Sequence, residues 1–440
     1  MTAHIQSRWE RHSQQSLDWQ SGSNFRGWAD SKIEELEHVL KENILGFWLP
    51  RCLDFEHGGY AINFDRYGHP NGRRSKGIVT QARMLWLFSA SFVNQHGGPE
   101  LLHAADSGYQ FLREHMWDRE HGGFFWEVGA SGNSVLGDGK HLYGQAFGLF
   151  ALSAYGLATR NTDALAFACD LFDLLERRAH DSRYGGYREF FRRDWGAAPA
   201  TEIGYLGMPA GLKLMNTHLH LLEAYTLFFL ATAVPMARQR ILELISILSQ
   251  SVVREEIGTC TDVHLSDWQP LLTGDSARTS YGHVLENISL LINSSEAIEA
   301  STSRILPLCN TLFNYCLKYG YDKRNGGFYE SGPLGRPADN RRKTWWVQAE
   351  ALWSTLQMHH LTWDPTYLEI FNHNWEFVKR HQIDWTYGEW YEQVNRWRVV
   401  KSDKGHIWKA GYHQGRAMIE CIRLLRECAA GSNLETRLSV

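Results

Sequence analysis

The sequence lacks the motifs by which many enzymes bind metals, nucleotides or a covalently attached substrate. No His-Glu-x-x-His, Gly-x-Gly-x-x-Gly, Gly-Lys-Ser/Thr or serine nucleophile elbow occurs in its 440 residues. Its seven cysteines are scattered without a Cys-x-x-Cys spacing, and no apolar signal segment follows Met1. These absences predict a protein that uses no metal and no other cofactor, in a reducing cytoplasm.

The chain also has no excess of positive charge and no long apolar run. Its net charge is −4 and its pI about 6.6, which gives no basic surface for nucleic acid. No apolar run is long enough to span a bilayer. With 43% hydrophobic residues, the composition is that of a globular protein with a large core. We therefore expect a small neutral ligand, no nucleic-acid or membrane partner, and a monomer or homodimer.

Two residue types are abundant instead, with 18 tryptophans and 21 histidines in the chain. Indole rings stack on the C–H faces of sugars, and histidine titrates near neutral pH. Together they indicate carbohydrate chemistry, although a helical core can also absorb many tryptophans.

A turn motif recurs along the sequence. Asp, three residues, Gly-Gly and an aromatic residue occur at 54–60, 118–124, 181–187 and 322–328, with degenerate copies near Asp262 and Gly388. Each copy predicts a tight turn that leads into a short extended segment.

Helix-like segments follow these turns at regular intervals. Their aligned starts are separated by 64, 73, 66, 64 and 66 residues and fall at Lys76, Lys140, Lys213, Thr279, Lys343 and Lys409. Such an interval has room for two helices of about four turns each and their connections. Ser31 and Glu34 form a capping-box pattern, which predicts the start of the first outer helix. Residues 145–153 are apolar nearly all round, as expected of an inner helix.

The predicted fold is therefore all-α, a double-ringed (α/α)6 barrel of six helical hairpins with short β-hairpin-like Gly-Gly segments at one end. A linear solenoid of helix pairs is the alternative architecture. We expect one catalytic domain over residues 28–430, preceded by a polar extension, 1–27, and followed by a polar tail, 431–440.

Equivalent positions of the six inner helices carry polar groups that would meet on the barrel axis. A single histidine on an apolar helix is more often a core residue than a catalytic one, but so many buried polar groups are costly unless they are paired or used. His218-x-His220 offers two metal ligands, yet residues two apart on a helix point roughly opposite ways. The candidate residues are Arg83, His218, His220, His283, Glu286, Glu350, His413 and Arg416.

The blocks around these residues resemble the N-acylglucosamine 2-epimerase superfamily, most closely its cellobiose 2-epimerase and mannose 2-epimerase branch. They span nearly the whole chain in the family's order: Lys-Gly-Ile-Val-Thr-Gln-Ala-Arg (76–83), Lys-His-Leu-Tyr-Gly-Gln-Ala-Phe (140–147), Met-Asn-Thr-His-Leu-His-Leu-Leu-Glu-Ala-Tyr (215–225), Ser-Tyr-Gly-His-Val-Leu-Glu (280–286), Trp-Trp-Val-Gln-Ala-Glu (345–350) and Trp-Lys-Ala-Gly-Tyr-His (408–413). The resemblance implies an (α/α)6 barrel with a sugar pocket and metal-free histidine catalysis. It implies a catalytic core of Arg83, His220, His283, Glu286 and His413, with Tyr143, Asn216, Trp346 and Trp408 as binding residues. We add His218, Glu350 and Arg416 to the predicted substrate-binding set.

Two departures from the family pattern lie close to the predicted pocket. Val284 stands where the family often has Asp, and Ala410-Gly411 where it often has Cys-Pro. They leave the chemistry unchanged but bear on which sugar is bound.

The predicted reaction is epimerisation at carbon 2 of glucose- and mannose-configured sugars through an enediolate. It needs acid/base groups with pKa near neutral and a cation for the developing charge. We assign His283 and His413 to the proton transfers, Arg83 to the enediolate oxygens, His220 to ring opening or exchange at oxygen 1, and Glu286 to orienting a neighbouring histidine. Substrates would be free D-mannose and D-glucose or the reducing end of a β-1,4-disaccharide such as cellobiose. Alternatives are an aldose–ketose isomerase, an (α/α)6 glycoside hydrolase that uses Glu286 and Glu350, and a noncatalytic sugar-binding protein.

Overall fold

The structure, a computed structural model, describes residues 22–395, 399–401 and 403–431, and most of these are helical. Segments of π-helix join α1 to α2 (Val39–Leu45) and extend α4 (Leu112–Met116), α8 (Ile247–Ser251) and α12 (Val378–Gln382). The α-helices are α1 (Gly22–His38), α2 (Gly46–Cys52), α3 (Ile78–Val93), α4 (Pro99–Phe111), α5 (Leu142–Thr159), α6 (Thr162–Arg178), α7 (Met215–Thr232), α8 (Pro235–Ser246), α9 (Tyr281–Ala297), α10 (Leu306–Tyr319), α11 (Trp345–Thr362), α12 (Pro365–Phe377) and α13 (Tyr412–Ala429).

Short antiparallel strands lie between the helices and pair as β1-β2-β3, β4-β5, β6-β9, β7-β8, β10-β11 and β12-β13-β14. Several pairs place a strand directly before an inner helix; Lys76 of β1, for example, lies opposite Val128 of β2. The strands are β1 (Lys76–Gly77), β2 (Glu127–Val128), β3 (Val135–Gly137), β4 (Lys140–His141), β5 (Phe190–Phe191), β6 (Lys213–Leu214), β7 (Val253–Arg254), β8 (Thr259–Cys260), β9 (Val263–His264), β10 (Arg278–Ser280), β11 (Ser331–Pro333), β12 (Lys343–Thr344), β13 (Gln393–Val394) and β14 (Val399–Lys401).

The helices form two concentric rings. The inner ring consists of α3, α5, α7, α9, α11 and α13, each in contact with the next, and α13 closes the ring against α3. The outer ring consists of α1 with α2, α4, α6, α8, α10 and α12, each packed on an inner helix. Residues 145–153 of α5 are all buried, as expected of an inner helix. The predicted (α/α)6 barrel is confirmed, and the linear solenoid is wrong because the ring closes.

The Gly-Gly turns are locked to the inner helices by a repeated set of contacts. Oε1 of Gln81 accepts from the backbone N–H of Tyr60 at 2.8 Å, and its Nε2 donates to the carbonyl of Tyr60 at 2.7 Å. Gly59 has φ +68°, and a Cβ there would lie 2.7 Å from Phe111, so glycine is required. Similar contacts join Gln145 to Phe124, His218 to Tyr187 and Gln348 to Phe328.

A buried lysine–aspartate pair fastens the same turns. Nζ of the lysine lies 2.6–2.9 Å from Oδ2 of the aspartate in Lys76–Asp54, Lys140–Asp118, Lys213–Asp181, Lys343–Asp322 and Lys404–Asp384. In the fourth repeat the turn lies at Arg254–Gly258, where Gly258 N–H donates to the carbonyl of Arg254 at 2.7 Å. The predicted copy near Asp262 is therefore wrong by several residues, because the fourth turn keeps neither the aspartate nor the glycine pair.

The first outer helix begins earlier than the capping box predicts. Ser31 and Glu34 lie inside α1, which starts at Gly22, because Phe25 and Ala29 are buried in the core and extend the helix towards the N-terminus. Residues 22–27, predicted to belong to the polar extension, are helical. Residues 1–21 and 432–440 lie outside the described residues. Within the described ranges, no helix is both long and apolar enough to cross a bilayer.

Candidate active site

The N-terminal halves of the inner helices surround a cavity of about 130 Å³ at one end of the barrel. Its walls are aromatic and its polar groups are histidine, arginine and glutamate. The lining residues are Arg83, Tyr143, His220, His283, Glu286, Trp345, Trp346, Trp408 and His413.

His413 is held by a carboxylate of the neighbouring inner helix. Its Nδ1 lies 2.6 Å from Oε1 of Glu350, and both side chains are buried. Burial raises the pKa of Glu350, and Arg416, whose Nη2 donates to the same oxygen at 2.7 Å, opposes that shift. Because Oε1 of Glu350 accepts from Arg416, it is also the acceptor in its bond with His413, so Nδ1 carries the proton and Nε2 is left for the cavity. Burial, aided by Arg83, lowers the pKa of His413 well below its usual value, so the ring is neutral at pH 7.

His220 has an analogous partner on its own helix, α7. Its Nδ1 lies 3.1 Å from Oε2 of Glu223, one turn further along. Burial acts to raise the pKa of Glu223, yet Arg416 and His220 together lower it to about 2. His220 therefore also has a protonated Nδ1 and presents Nε2 to the cavity.

Arg416 joins these carboxylates below the cavity. Its Nη2 donates to Oε1 of Glu286 at 2.6 Å as well as to Glu350, and its Nη1 donates to Glu223 and to the hydroxyl of Tyr412. The carboxylates raise the pKa of Arg416 against the effect of its burial. One guanidinium thus neutralises part of the charge of three buried glutamates.

Arg83 approaches the cavity from α3 without a carboxylate partner among the described residues. Its Nη1 donates to the carbonyl of Trp408 at 2.9 Å and its Nη2 to the hydroxyl of Tyr143 at 3.1 Å. The guanidinium carbon lies 4.5 Å from the ring centroid of Phe147. A buried, uncompensated positive charge beside a cavity favours negative charge on a bound ligand.

His283 and Glu286 offer unpaired atoms from α9. Nδ1 of His283 and Oε2 of Glu286 are buried and have no hydrogen-bond partner among the described residues. The His283 ring packs on Trp346 with centroids 4.8 Å apart, and the His413 ring packs on the same indole at 5.7 Å. Trp346 therefore contacts two histidines that come from different helices.

The described residues contain one cluster whose ligand atoms lie close enough to hold a metal ion. Atoms of Glu286, Glu350 and His413 all lie within 4.8 Å of one another. However, Nη2 of Arg416 lies 2.6 and 2.7 Å from the two carboxylates. The guanidinium already supplies the positive charge that this cluster requires, so its residues fit a metal poorly.

The structure brings together the residues predicted to share one level of the inner ring. Arg83, Phe147 and His220 contact one another through Phe147, whose ring lies 4.6 Å from that of His220. Glu286, Glu350 and Arg416 meet by hydrogen bonds. Of the predicted site residues, those that line the cavity are Arg83, Tyr143, His220, His283, Glu286, Trp346, Trp408 and His413.

Four predicted substrate-binding residues lie elsewhere. Glu350 and Arg416 lie behind the histidines and do not line the cavity. Asn216 does not line it either, and its backbone N–H donates to Asp262 at 2.9 Å. His218 faces away from the axis, and its Nε2 accepts from the N–H of Tyr187 at 2.9 Å. In other repeats a glutamine makes this contact with the turn.

The sequence predicts that Glu286 orients a neighbouring histidine, but Glu286 accepts from Arg416, and among the described residues it has no hydrogen bond with a histidine. The carboxylates that hydrogen-bond the histidines of the cavity are Glu350, with His413, and Glu223, with His220. Glu223 was missed, although its position three residues after His220 on a predicted helix is a readable signal. Trp345, also outside the predicted set, lines the cavity beside Trp346.

Comparisons with known proteins agree with this geometry. Residues 58–417 match the family described as N-acylglucosamine 2-epimerase (GlcNAc 2-epimerase). The cellobiose 2-epimerase of Dictyoglomus turgidum is 30% identical over 401 residues, covering 89% of this chain and 98% of the relative. The D-mannose isomerase of Marinomonas mediterranea is 26% identical over 412 residues, covering 90% and 98%. The solved structure of the cellobiose 2-epimerase from Spirochaeta thermophila superposes with a TM-score of 0.82 at 34% identity, covering 92% of this chain and 98% of that one.

Proposed function

We propose that this chain, which belongs to the N-acylglucosamine 2-epimerase family, interconverts glucose- and mannose-configured sugars at carbon 2. The substrate is free D-mannose or D-glucose, or the reducing end of a β-1,4-disaccharide such as cellobiose. As a carbohydrate epimerase the chain is an isomerase and processes a small sugar. The observation that carries the proposal is the placement of His283 and His413 on different helices against one indole.

Each proton transfer then has a donor or acceptor in the cavity. One histidine of the pair removes the proton from carbon 2, and the electron pair moves to oxygen 1 to form the enediolate. The other histidine, in its protonated form, delivers a proton to the opposite face of carbon 2. His413 suits the first step because its ring is neutral and its Nε2 is free. The two histidines exchange protonation states in each turnover and return to the start by exchange with water.

Two other groups act on the sugar oxygens. Arg83 stabilises the negative charge of the enediolate, since it has no carboxylate of its own in the described structure. His220, with Nε2 facing the cavity, takes the proton from oxygen 1 and returns it to oxygen 5 as the bond between carbon 1 and oxygen 5 breaks in ring opening. Tyr143, Trp346 and Trp408 bind the sugar rings.

The carboxylates do not support glycoside hydrolysis. That reaction needs an acid and a base or nucleophile that flank the scissile bond, about 5 to 9.5 Å apart. Here Oε1 of Glu286 and Oε1 of Glu350 both accept from Nη2 of Arg416. Two carboxylates bound to one guanidinium nitrogen cannot lie on opposite sides of a sugar.

An aldose–ketose isomerase is the second candidate, favoured by the D-mannose isomerase relative. It shares the enediolate and differs only in whether the proton returns to carbon 2 or carbon 1. Turnover of mannose, glucose and cellobiose in D₂O, followed by NMR, separates the two. Deuterium at carbon 2 of a recovered aldose epimer supports the epimerase, whereas fructose as the dominant early product overturns it.

A further inference from the structure

Glu223 has no part in the proton transfers proposed above, yet it lies directly beneath His220. We propose that Glu223 is a positioning residue, which fixes the ring orientation and tautomer of His220 and couples it through Arg416 to His413. This inference rests on the proposed acid/base role of His220.

Three donors fix the carboxylate of Glu223. Its Oε2 accepts from Nδ1 of His220 at 3.1 Å and from the hydroxyl of Tyr412, and its Oε1 accepts from Nη1 of Arg416. Tyr412 and Arg416 belong to α13 and His220 to α7, the sixth and third inner helices, which lie across the ring from each other. The carboxylate therefore cannot move without breaking a contact with the opposite side of the barrel.

The same contacts determine which ring nitrogen of His220 carries the proton. Glu223 remains ionised because Arg416 donates to it, and an ionised carboxylate accepts only. Nδ1 must then be the donor, which leaves Nε2 unprotonated and directed to the cavity. The ring packs edge-on against Tyr143, with centroids 5.1 Å apart, and against Phe147 at 4.6 Å. These aromatic contacts restrict the plane of the ring but do not select its tautomer.

Glu223 also links two histidine–carboxylate pairs. Arg416 donates through Nη1 to Glu223, which holds His220, and through Nη2 to Glu350, which holds His413. Removing the charge of Glu223 leaves Arg416 less compensated, and this lowers the proton affinity of both histidines. Among the described residues, the titratable and charged groups around His220 are Glu223 on its own helix, Arg83 on α3, Tyr143 on α5, His283 and Glu286 on α9, Glu350 on α11, and Tyr412, His413 and Arg416 on α13.

The test compares Glu223→Gln and Glu223→Asp with a matched control. In Glu223→Gln we expect kcat to fall about 10- to 100-fold, the size of effect seen for carboxylates that orient metal-bound histidines in other proteins, with little change in KM. The acid limb of the kcat/KM profile should move to lower pH. Glu223→Asp keeps the charge and should restore the limb and part of kcat. The control is Glu243→Gln on the outer helix α8, which breaks a histidine–glutamate pair away from the cavity, with His180 Nε2 3.0 Å from Glu243 Oε1. This variant should change neither kcat nor the acid limb.

NMR of ¹⁵N-histidine protein without substrate gives a readout that does not depend on turnover. His220, assigned by comparison with His220→Gln, should show an unprotonated Nε2 in the wild type and a mixture of tautomers in Glu223→Gln. A folded Glu223→Gln with unchanged kcat, acid limb and tautomer would overturn the proposal. If that variant does not fold, a wild-type kcat in Glu223→Asp, whose shorter side chain lies farther from His220, overturns the proposal equally. If the wild type does not exchange the proton on carbon 2 of the sugar for deuterium, the proposed function is wrong. The tautomer of His220 would still test the role of Glu223.

Discussion

Glu350 and His413 lie on adjacent inner helices, and Oε1 of the glutamate is 2.6 Å from Nδ1 of the histidine. The same oxygen accepts from Arg416 at 2.7 Å. The carboxyl group of Glu350 is thereby held in place, and it directs the free nitrogen of His413 into the cavity.

Replacement of Glu350 by Gln should lower kcat about 10- to 100-fold, because His413 loses a fixed acceptor for Nδ1. KM should change much less, since Glu350 does not line the cavity. The measurement is steady-state epimerisation with thermal unfolding of the same samples. Glu189→Gln serves as control: burial raises the pKa of Glu189 to about 8, so the residue is already neutral at pH 7 and should tolerate the amide. Equal losses in both variants would argue against a specific role for Glu350.

Removing either histidine of the proposed pair should nearly abolish epimerisation and leave the fold intact. A general acid or base contributes about 10² to 10⁴ in rate, and within the described part of the chain neither the His283 ring nor the His413 ring hydrogen-bonds the backbone. His283→Ala and His413→Ala are to be compared with His103→Ala, an exposed position on α4. Retention of more than about a tenth of the wild-type rate in either variant contradicts its role.

Activity should persist after exhaustive treatment with EDTA. Arg416 occupies the space between Glu286 and Glu350 that a divalent ion would need. The rate is measured before and after chelation and after addition of Mg²⁺, Mn²⁺ or Zn²⁺. Loss of activity that a divalent ion restores would show that a metal takes part.

His218→Gln should retain activity and reduce the acid sensitivity of the fold. His218 holds Tyr187 as Gln81 holds Tyr60. Burial lowers the pKa of His218 to about 3, whereas in the unfolded chain it is about 6.5. The unfolded state therefore binds the proton first, and stability is lost as the pH falls below about 6.5, by about 1.4 kcal/mol per pH unit. Glutamine does not titrate.

Denaturant unfolding of both proteins at pH 7, 6, 5 and 4 measures this difference. With each step below pH 6, the unfolding free energy of the wild type should fall relative to that of the variant. If the two proteins show the same pH dependence of unfolding, His218 is not the group that titrates. If the variant loses epimerisation, His218 takes part in substrate binding as the sequence predicts.

The repeat could be predicted from the sequence because its spacing is regular. The first five inner helices begin two residues after their aligned starts, and α13 three residues after Lys409. Errors arose where the local pattern and the tertiary contacts disagree. Ser31 has the capping pattern of a helix start, but burial of Phe25 carries α1 back to Gly22. The fourth turn lacks the aspartate and the glycine pair of the motif, so Asp262 does not mark its position.

The convergence of polar residues could also be predicted, since equivalent positions of a ring meet on its axis. The direction of each side chain could not. His218 and His220 differ by two positions, and only the packing shows that one holds a turn and the other faces the cavity. Likewise the sequence does not reveal depth, which places Glu350 and Arg416 behind the histidines rather than against the sugar.

The shared guanidinium of Arg416 limits how this enzyme can diversify. Loss of Arg416 would leave three buried carboxylates without their cation. The free energy of unfolding would fall by several kcal/mol, which most domains cannot tolerate. Most mutations at the base of the cavity should therefore prevent folding, whatever their effect on catalysis. Trp408, at the mouth and 37% exposed, is under no such constraint. New sugar preferences in this lineage should therefore arise from changes around the rim, while the acid/base layer is inherited as one inseparable unit.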